Sequence, residues 1–279
     1  MQRISAIAPN PAPYGLSSEL VPAAEVPAAS ARLRAARSEG TAADAAQEAP
    51  ESPAPDVVVV PEALTEHGVG LAVCDVDSTF IEQEVIELIA DHAGVRAQVA
   101  EITESAMRGE LDFEASLRAR VRTLAGLPVE VLAEVAQQVS MTPGAREFVR
   151  GVQAGGGRVA LVSGGFDVIV EAIAADAGAD AARANRLGVD AGRLTGEVVG
   201  AVIDRAAKAD ALAEYAQRWG VDRSQTIAVG DGANDIDMVE AAGMGFAFCA
   251  KPALVAAADA AISVRRLDAV LAAVTGERP

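Results

Sequence analysis

From Leu71 onward, short unbroken apolar runs alternate with helical periodicities, and that alternation limits the chain to a few folds. LAVCD at 71–75 reads as a strand buried on both faces and ending on an acid. VALV at 159–162 and TIAV at 226–229 repeat the pattern, and GFAF at 245–248 adds a fourth run. Between these runs, residues 167–176, 205–219 and 235–242 carry helical patterns, and Pro143 opens another helix. Arg186–Val189 and Leu194–Val199 flank the turn Asp190-Ala191-Gly192, which predicts a β-hairpin. Strands alternating with helices predict an α/β fold, a parallel sheet with helices on both faces. Residues 83–140 hold several helical patterns and no convincing strand, with Val85, Ile86, Leu88 and Ile89 and then Leu117, Val121 and Leu124 at helical spacing. That block is too long for an ordinary crossover and reads as a cap inserted after the first strand.

The first 66 residues have a different texture. Nine of the 13 prolines lie between Pro9 and Pro61, among Ala, Ser and Glu, and Thr41–Pro55 is of low complexity. Such a segment offers little apolar surface against its ordering entropy, so residues 1–66 are expected to be a mostly disordered Pro/Ala-rich tail. It reads as having neither the strands nor the helices of a regulatory domain. DVVVVPEAL at 56–64 could add a short strand, limited by Pro61. The folded domain is expected over 67–279.

Charge narrows the function classes. Forty acids against 23 bases give a formal charge of -17, which argues against nucleic acid or an anionic membrane as a partner. A small anionic substrate stays open, because a few local cations override a distant field. No apolar run approaches the ~20 residues that span a bilayer, and no secretory signal is read at the N-terminus. Two cysteines, Cys74 and Cys249, suit a reducing cytoplasm. Only two of the 23 bases are lysines, Lys208 and Lys251. In an arginine-dominated chain, a lysine suggests a place where a planar guanidinium would not fit.

Ligands of open α/β sheets bind beyond the carboxyl ends of the strands, and the first three strand ends here are polar. They read Asp75-Val76-Asp77-Ser78-Thr79, Ser163-Gly164-Gly165, and Gly230-Asp231-Gly232-Ala233-Asn234-Asp235. Asp75 and Asp77, two apart, project to one side of an extended backbone. Paired carboxylates repel unless a cation lies between them or one is protonated. Asp231 and Asp235 add oxygen ligands of the kind Mg²⁺ takes, although an Asx/Gly turn would use the same residues. Ser163-Gly164-Gly165 leads into a helix and can cradle a phosphate. Lys208, near a helix start, opposes the usual preference for acids there, which favours an anionic ligand.

Taken in this order, the four pieces resemble the haloacid dehalogenase superfamily of phosphohydrolases over about residues 71–279. Within it, the phosphoserine phosphatases are the nearer likeness. That likeness rests on DVDSTFIEQEVIELIA, AMRGELDFEASLRARVRTL, ANRLGVDAGRLTGEVVG, and GDGANDIDM followed by FCAKP. The resemblance implies a Rossmann-like three-layer core with a helical cap. It implies Asp75 as nucleophile and Asp77 as general acid/base, with Ser163, Gly164 and Lys208 on the phosphoryl group. Asp75, the Asp77 carbonyl and Asp231 would bind Mg²⁺, with Asn234 and Asp235 supporting, and Asn234 counts among the substrate contacts. Glu84 and Arg120 would read the amino-acid part, although alone each reads as a solvated helix-face charge. Met107 and Phe113 would form the cap's apolar wall.

The expected substrate is thus a small phosphomonoester, O-phosphoserine, and the family commonly forms homodimers. Val76 and Phe80 depart from the usual family residues but stay apolar, so altered packing around an intact site is expected. The alternatives are a related phosphatase or phosphotransferase, for example for phosphohomoserine, or a non-catalytic scaffold acting through its N-terminal segment.

Overall fold

The computed structural model describes residues 1–9, 14–35, 56–108 and 110–279. Its centre is a seven-stranded sheet built from β4 (Leu71–Cys74), β5 (Arg158–Phe166), β6 (Ala181–Asp190), β7 (Arg193–Val199), β8 (Thr226–Gly230), β9 (Met244–Phe248) and β10 (Ala260–Ile262). Their spatial order is β10-β9-β8-β4-β5-β6-β7. All neighbours are parallel except the β6–β7 hairpin. Alternate residues of β4 feed opposite faces: Ala72 and Cys74 enter one core, Leu71 and Val73 the other. Helices Ala145–Ala154, Asp167–Ala177 and Asp268–Thr275 bury residues in the first core, and Arg205–Trp219 and Ile236–Ala241 in the second. Three layers result, as the expected Rossmann-like α/β core requires.

Strand order reverses at β4, whose neighbours β5 and β8 both follow it in sequence. Cys74 pairs with Leu161 on one side and Val229 on the other. The polar stretches after the three strands therefore emerge side by side at the switch point. Between β4 and β5 the chain forms helices Val85–Ala93, Arg96–Met107, Phe113–Arg122 and Glu130–Gln138, the expected cap. Its two linkers meet at an antiparallel bridge between Ile81 and Met141. The hairpin is also tied to the cap: the Gly126 amide donates to the Leu194 carbonyl, the Leu194 amide to Leu127, and the Val129 amide to Gly192.

The N-terminal segment differs from the disordered tail expected for 1–66. β1 (Gln2–Ala8), β2 (Gly15–Val21) and β3 (Asp56–Val60) form an antiparallel sheet in the order β2-β1-β3. Helix Val26–Ala35 contacts it, and Glu62–His67 follows β3. Thus β1, β2 and the two helices are present where none were expected, and Asp56–Val60 is the short strand that the sequence allowed. The apolar surface missing locally comes from elsewhere: Ile7, Tyr14, Val58 and Val60 are buried in the same core as Val270 and Val274. The low-complexity run Thr41–Pro55 lies outside the described residues. Among the described residues, no helix is long and apolar enough to cross a membrane.

Gly144, after the second cap linker, has φ +82° and meets Asp268, whose Oδ1 would stand 2.0 Å from an added Cβ. Gly156 has φ +85° with open space around it. Gly156→Ala should cost about 1–2 kcal/mol, the left-handed penalty alone. Gly144→Ala should cost clearly more, because the buried Asp268 carboxylate must also move. Urea unfolding of the two variants checks the difference.

Candidate active site

Each functional side chain is placed by a local device. After β4 the backbone breaks from extended geometry, and Ser78 adopts φ +57°. A non-glycine residue in that region needs external support. The Ser78 amide donates to the Gln83 carbonyl at 3.2 Å, and its hydroxyl donates to Glu84 Oε1 at 2.8 Å. The turn aims Asp75 and Asp77 into the same cleft. Asp77 accepts from the Val85 amide (2.8 Å) on one oxygen and from the Ser163 hydroxyl (3.0 Å) on the other. The Gly165 amide donates to Ser163 Oγ at 2.7 Å, so the loop after the β5 core run closes on its own serine. A Cβ on Gly165 would stand 2.9 Å from Asp77 Oδ2; glycine permits this approach.

Lys208 is the centre of the arrangement. Asp204 caps helix Arg205–Trp219 by accepting from the Ala207 amide at 2.9 Å. Lys208 follows in the first turns, fully buried, and its Nζ donates to Asp75 Oδ1 at 2.6 Å and to Asp235 Oδ1 at 2.7 Å. Asp235 Oδ2 accepts from the Asp231 and Gly232 amides at 3.2 and 3.1 Å. Burial alone would push the lysine pKa down, but Asp235 and Asp75 outweigh it and hold the ammonium protonated. Burial and the Asp235 charge push Asp75 up. Asp77 is raised to about 6 by burial and by Glu84. Asp231 is raised to about 6 by burial and by Asp235.

Carboxylate oxygens of Asp75, Asp231 and Asp235 lie within 4.8 Å of one another. Against these three acids stand the buried Lys208 and the exposed Lys251, whose Nζ is 4.0 Å from Asp231. The cluster therefore carries more negative charge than its partners neutralise, and an oxygen-seeking cation fits it. Asp77 directs its carboxylate to Ser163 and Val85 and is not one of the three acids of this cluster. Asn234 lies half-buried in the turn beside Asp235.

From the cap, Phe113 reaches the end of β5: a Cβ on Gly164 would stand 2.9 Å from Phe113 Cζ. Arg120 is half-buried, with its Nε donating to the Ser116 carbonyl at 3.4 Å. Burial lowers its pKa, opposed first by the charges of Glu84 and Asp77. Glu84 stands exposed at the start of helix Val85–Ala93. Met107 ends helix Arg96–Met107, and its side chain lies outside the described residues. Val76 and Phe80, the departures from the family pattern, are fully buried.

Asn185 was not singled out in the sequence. It is buried on β6, donates to the Gly164 carbonyl and accepts from the Ile203 amide, both at 2.8 Å. It thus braces the Ser163-Gly164 loop against the segment leading to Lys208. A polar residue flanked by Ala184 and Arg186 gives no periodic signal that it faces inward.

Comparison with known proteins agrees with this geometry. Residues 72–240 match the family model of the haloacid dehalogenase-like hydrolases. A phosphoserine phosphatase from Streptomyces coelicolor is 51% identical over 216 residues, 77% of this chain and 53% of that protein. The chain therefore spans about half the length of that relative. The solved phospho-aspartyl intermediate analogue of a phosphoserine phosphatase is 45% identical with a TM-score of 0.69, covering 73% of this chain and 97% of the other. A HAD family hydrolase from Salmonella enterica serovar Typhi matches all of both chains, N-terminal sheet included, with a TM-score of 0.82 and 26% identity. On the matched family model and on the strand-end constellation it covers, the chain belongs to the haloacid dehalogenase-like hydrolases.

Proposed function

We propose that the protein is a Mg²⁺-dependent phosphoserine phosphatase that releases L-serine and phosphate through an aspartyl phosphate on Asp75. The observation that carries this reading is the buried Lys208 ammonium bridging Asp75 and Asp235, with Asp77 held 3.0 Å from Ser163 beside it. Similarity to phosphoserine phosphatases supports the substrate.

A carboxylate oxygen brought to ~3.2 Å of a phosphate dianion is repelled by about 10 kcal/mol at an effective dielectric of about 20. Lys208 cancels part of this charge, and Ser163 with the Gly164 amide would offer donors to the phosphoryl oxygens. Asp75, the Asp77 carbonyl and Asp231 would hold Mg²⁺, with Asp235 supporting them, and the ion supplies further charge neutralisation when bound. Asp75 attacks phosphorus, the bond to the serine oxygen breaks, and Asp77 gives its proton to that oxygen. Asp77 then takes a proton from the water that cleaves the acyl phosphate, returning Asp75. A pKa near 6 suits both directions of transfer.

Glu84 and Arg120 lie on the cap side of Asp77, matching the ammonium and carboxylate of phosphoserine, and Asn234 adds a polar contact. Phe113, with Met107, would shield the site when the cap lies over it. The domain reading places this chemistry in residues 67–279, with the cap at about 83–140. A homodimer in the cytoplasm completes the proposal.

Phosphate release from phosphoserine, phosphohomoserine and p-nitrophenyl phosphate, with Mg²⁺ or with chelator, tests the assignment. Phosphoserine should be the best substrate and chelation should stop turnover; equal rates on all esters would remove the substrate assignment. Asp75→Asn should lower kcat by about 10³-fold or more, and retained activity would refute the nucleophile. Arg120→Ala should reduce kcat/KM for phosphoserine about 10²-fold, the scale of a lost charge-assisted fork, with little effect on p-nitrophenyl phosphate. Lys208→Met leaves two buried carboxylates without their cation, so chemical denaturation should show a loss of about 3–5 kcal/mol in metal-free buffer.

A further inference from the structure

The segment from Ser263 to Asp268, which follows β10, touches both the N-terminal sheet and the site. At its start, Asp56 at the head of β3 accepts from the Ser263 amide at 2.6 Å and the Ser263 hydroxyl at 2.9 Å through the same oxygen. At its end, the buried Tyr14 hydroxyl donates to Asp268 Oδ2 at 3.3 Å, and Arg278 lies over the Tyr14 ring at 5.0 Å. The N-terminal segment thus grips both ends. Between the grips, Arg265 Nη2 donates to the Ser78 carbonyl at 3.4 Å. The Leu267 amide donates to Pro143 at 2.8 Å, just after the second cap linker. Cys249 also reaches the segment, its thiol 3.5 Å from the Ser263 carbonyl. Two residues on, the Lys251 amide donates to the Asp231 carbonyl at 2.8 Å.

Ser78 is a demanding place for such a contact. It lies between Asp77 and the cap in the left-handed region, a conformation that persists only when its surroundings enforce it. Its amide and hydroxyl are held from the cap side, by Gln83 and Glu84. The carbonyl contact comes from a different segment, through Arg265. Without it, the peptide joining Ser78 to Thr79 is released on that side, and Asp77 precedes it by one residue.

We propose that the N-terminal sheet is a positioning element of the active site, with Asp56 acting through Ser263 and Arg265 on the Ser78 carbonyl. The role rests on the phosphatase reading of the Asp75–Asp77 turn. Asp56 does not touch substrate; it orders the segment that carries Arg265.

The test uses the full chain with Asp56→Ala, Asp56→Asn, Arg265→Ala and the Asp56→Ala/Arg265→Ala pair, each confirmed folded at the assay temperature. Asp56→Ala should lower kcat for phosphoserine and for p-nitrophenyl phosphate about tenfold, with KM held within about twofold, as expected for a displaced catalytic group. Asp56→Asn keeps an acceptor for the Ser263 amide and should recover most of that loss. The double variant should be no slower than the worse single variant, because both changes interrupt one chain of contacts. Amide exchange at residues 78–83 should quicken in Asp56→Ala and not in Asp56→Asn.

Unchanged kcat and unchanged exchange in folded Asp56→Ala would overturn the proposal, as would losses that multiply in the double variant. If Asp56→Ala does not fold, Ser263→Ala removes one of the two bonds and should show the same kcat pattern at smaller amplitude; no effect there would also overturn it. A wild-type protein that cleaves neither ester would refute the phosphatase reading, while the exchange comparison would still decide whether Asp56 orders the Ser78 turn.

Discussion

A buried ammonium shared by two carboxylates is the constraint around which the rest of the molecule is arranged. Lys208 is removed from water at a cost that only good geometry can offset. Its bonds to Asp75 and Asp235 supply that geometry. For these bonds to form, the ends of β4 and β8 and the first turns of helix Arg205–Trp219 must meet at one point. The sheet order and register bring the two strand ends level, and the Asp204 cap and the Asn185 brace bring in the helix. The charge does not close within this trio. Asp231 adds a further acid, and the unbalanced oxygen cluster is what makes the place suited to a cation and then to a phosphate.

Around this fixed point, the cap packs on the core as well as being joined to it, helix Glu130–Gln138 lying against helix Asp167–Ala177. The cap joins the core through the bridged linkers at Ile81 and Met141. Backbone bonds between residues 126–129 and 192–194 tie the β6–β7 hairpin to it. Phe113 is carried by the cap and rests against Gly164 at the end of β5. On the other side, the segment 263–268 and the N-terminal sheet back the same turn that the cap grips. The Ser78 turn is thus held by residues of two separate segments, Gln83 and Glu84 on one and Arg265 on the other.

Much of this was legible in the chain. β4, the core run of β5, β8 and β9 are buried on both faces, so they read as unbroken apolar runs. Helix Arg205–Trp219 has the expected bounds because Asp204 and Gly220 mark its ends. The β5 strand nevertheless extends through Ser163-Gly164-Gly165 to Phe166, and β6 begins at Ala181 rather than near Arg186. Those extensions use small and polar residues, which pair in a sheet without an apolar pattern. β1 and β2 were missed for a related reason: apolar partners of the N-terminal sheet lie in helix Asp268–Thr275, at the far end of the chain. Local composition understates the surface that a distant segment can cover.

Residue type and spacing by themselves determined the α/β class, the inserted cap, and the candidates Asp75, Asp77, Ser163, Lys208, Asp231 and Asp235. Each follows from a local rule: an apolar run ends, and polar residues of a particular chemistry begin. Tertiary structure alone decided which carboxylates share the lysine, how Asn185 ties the end of β5 to the segment before helix Arg205–Trp219, and where β1 to β3 belong. It also decided that Asp77 faces Ser163 while Asp235 faces Lys208. These are pairings between residues tens to hundreds of positions apart. They depend on strand order, register and desolvation, which come into being only when the sheet closes around its buried charge.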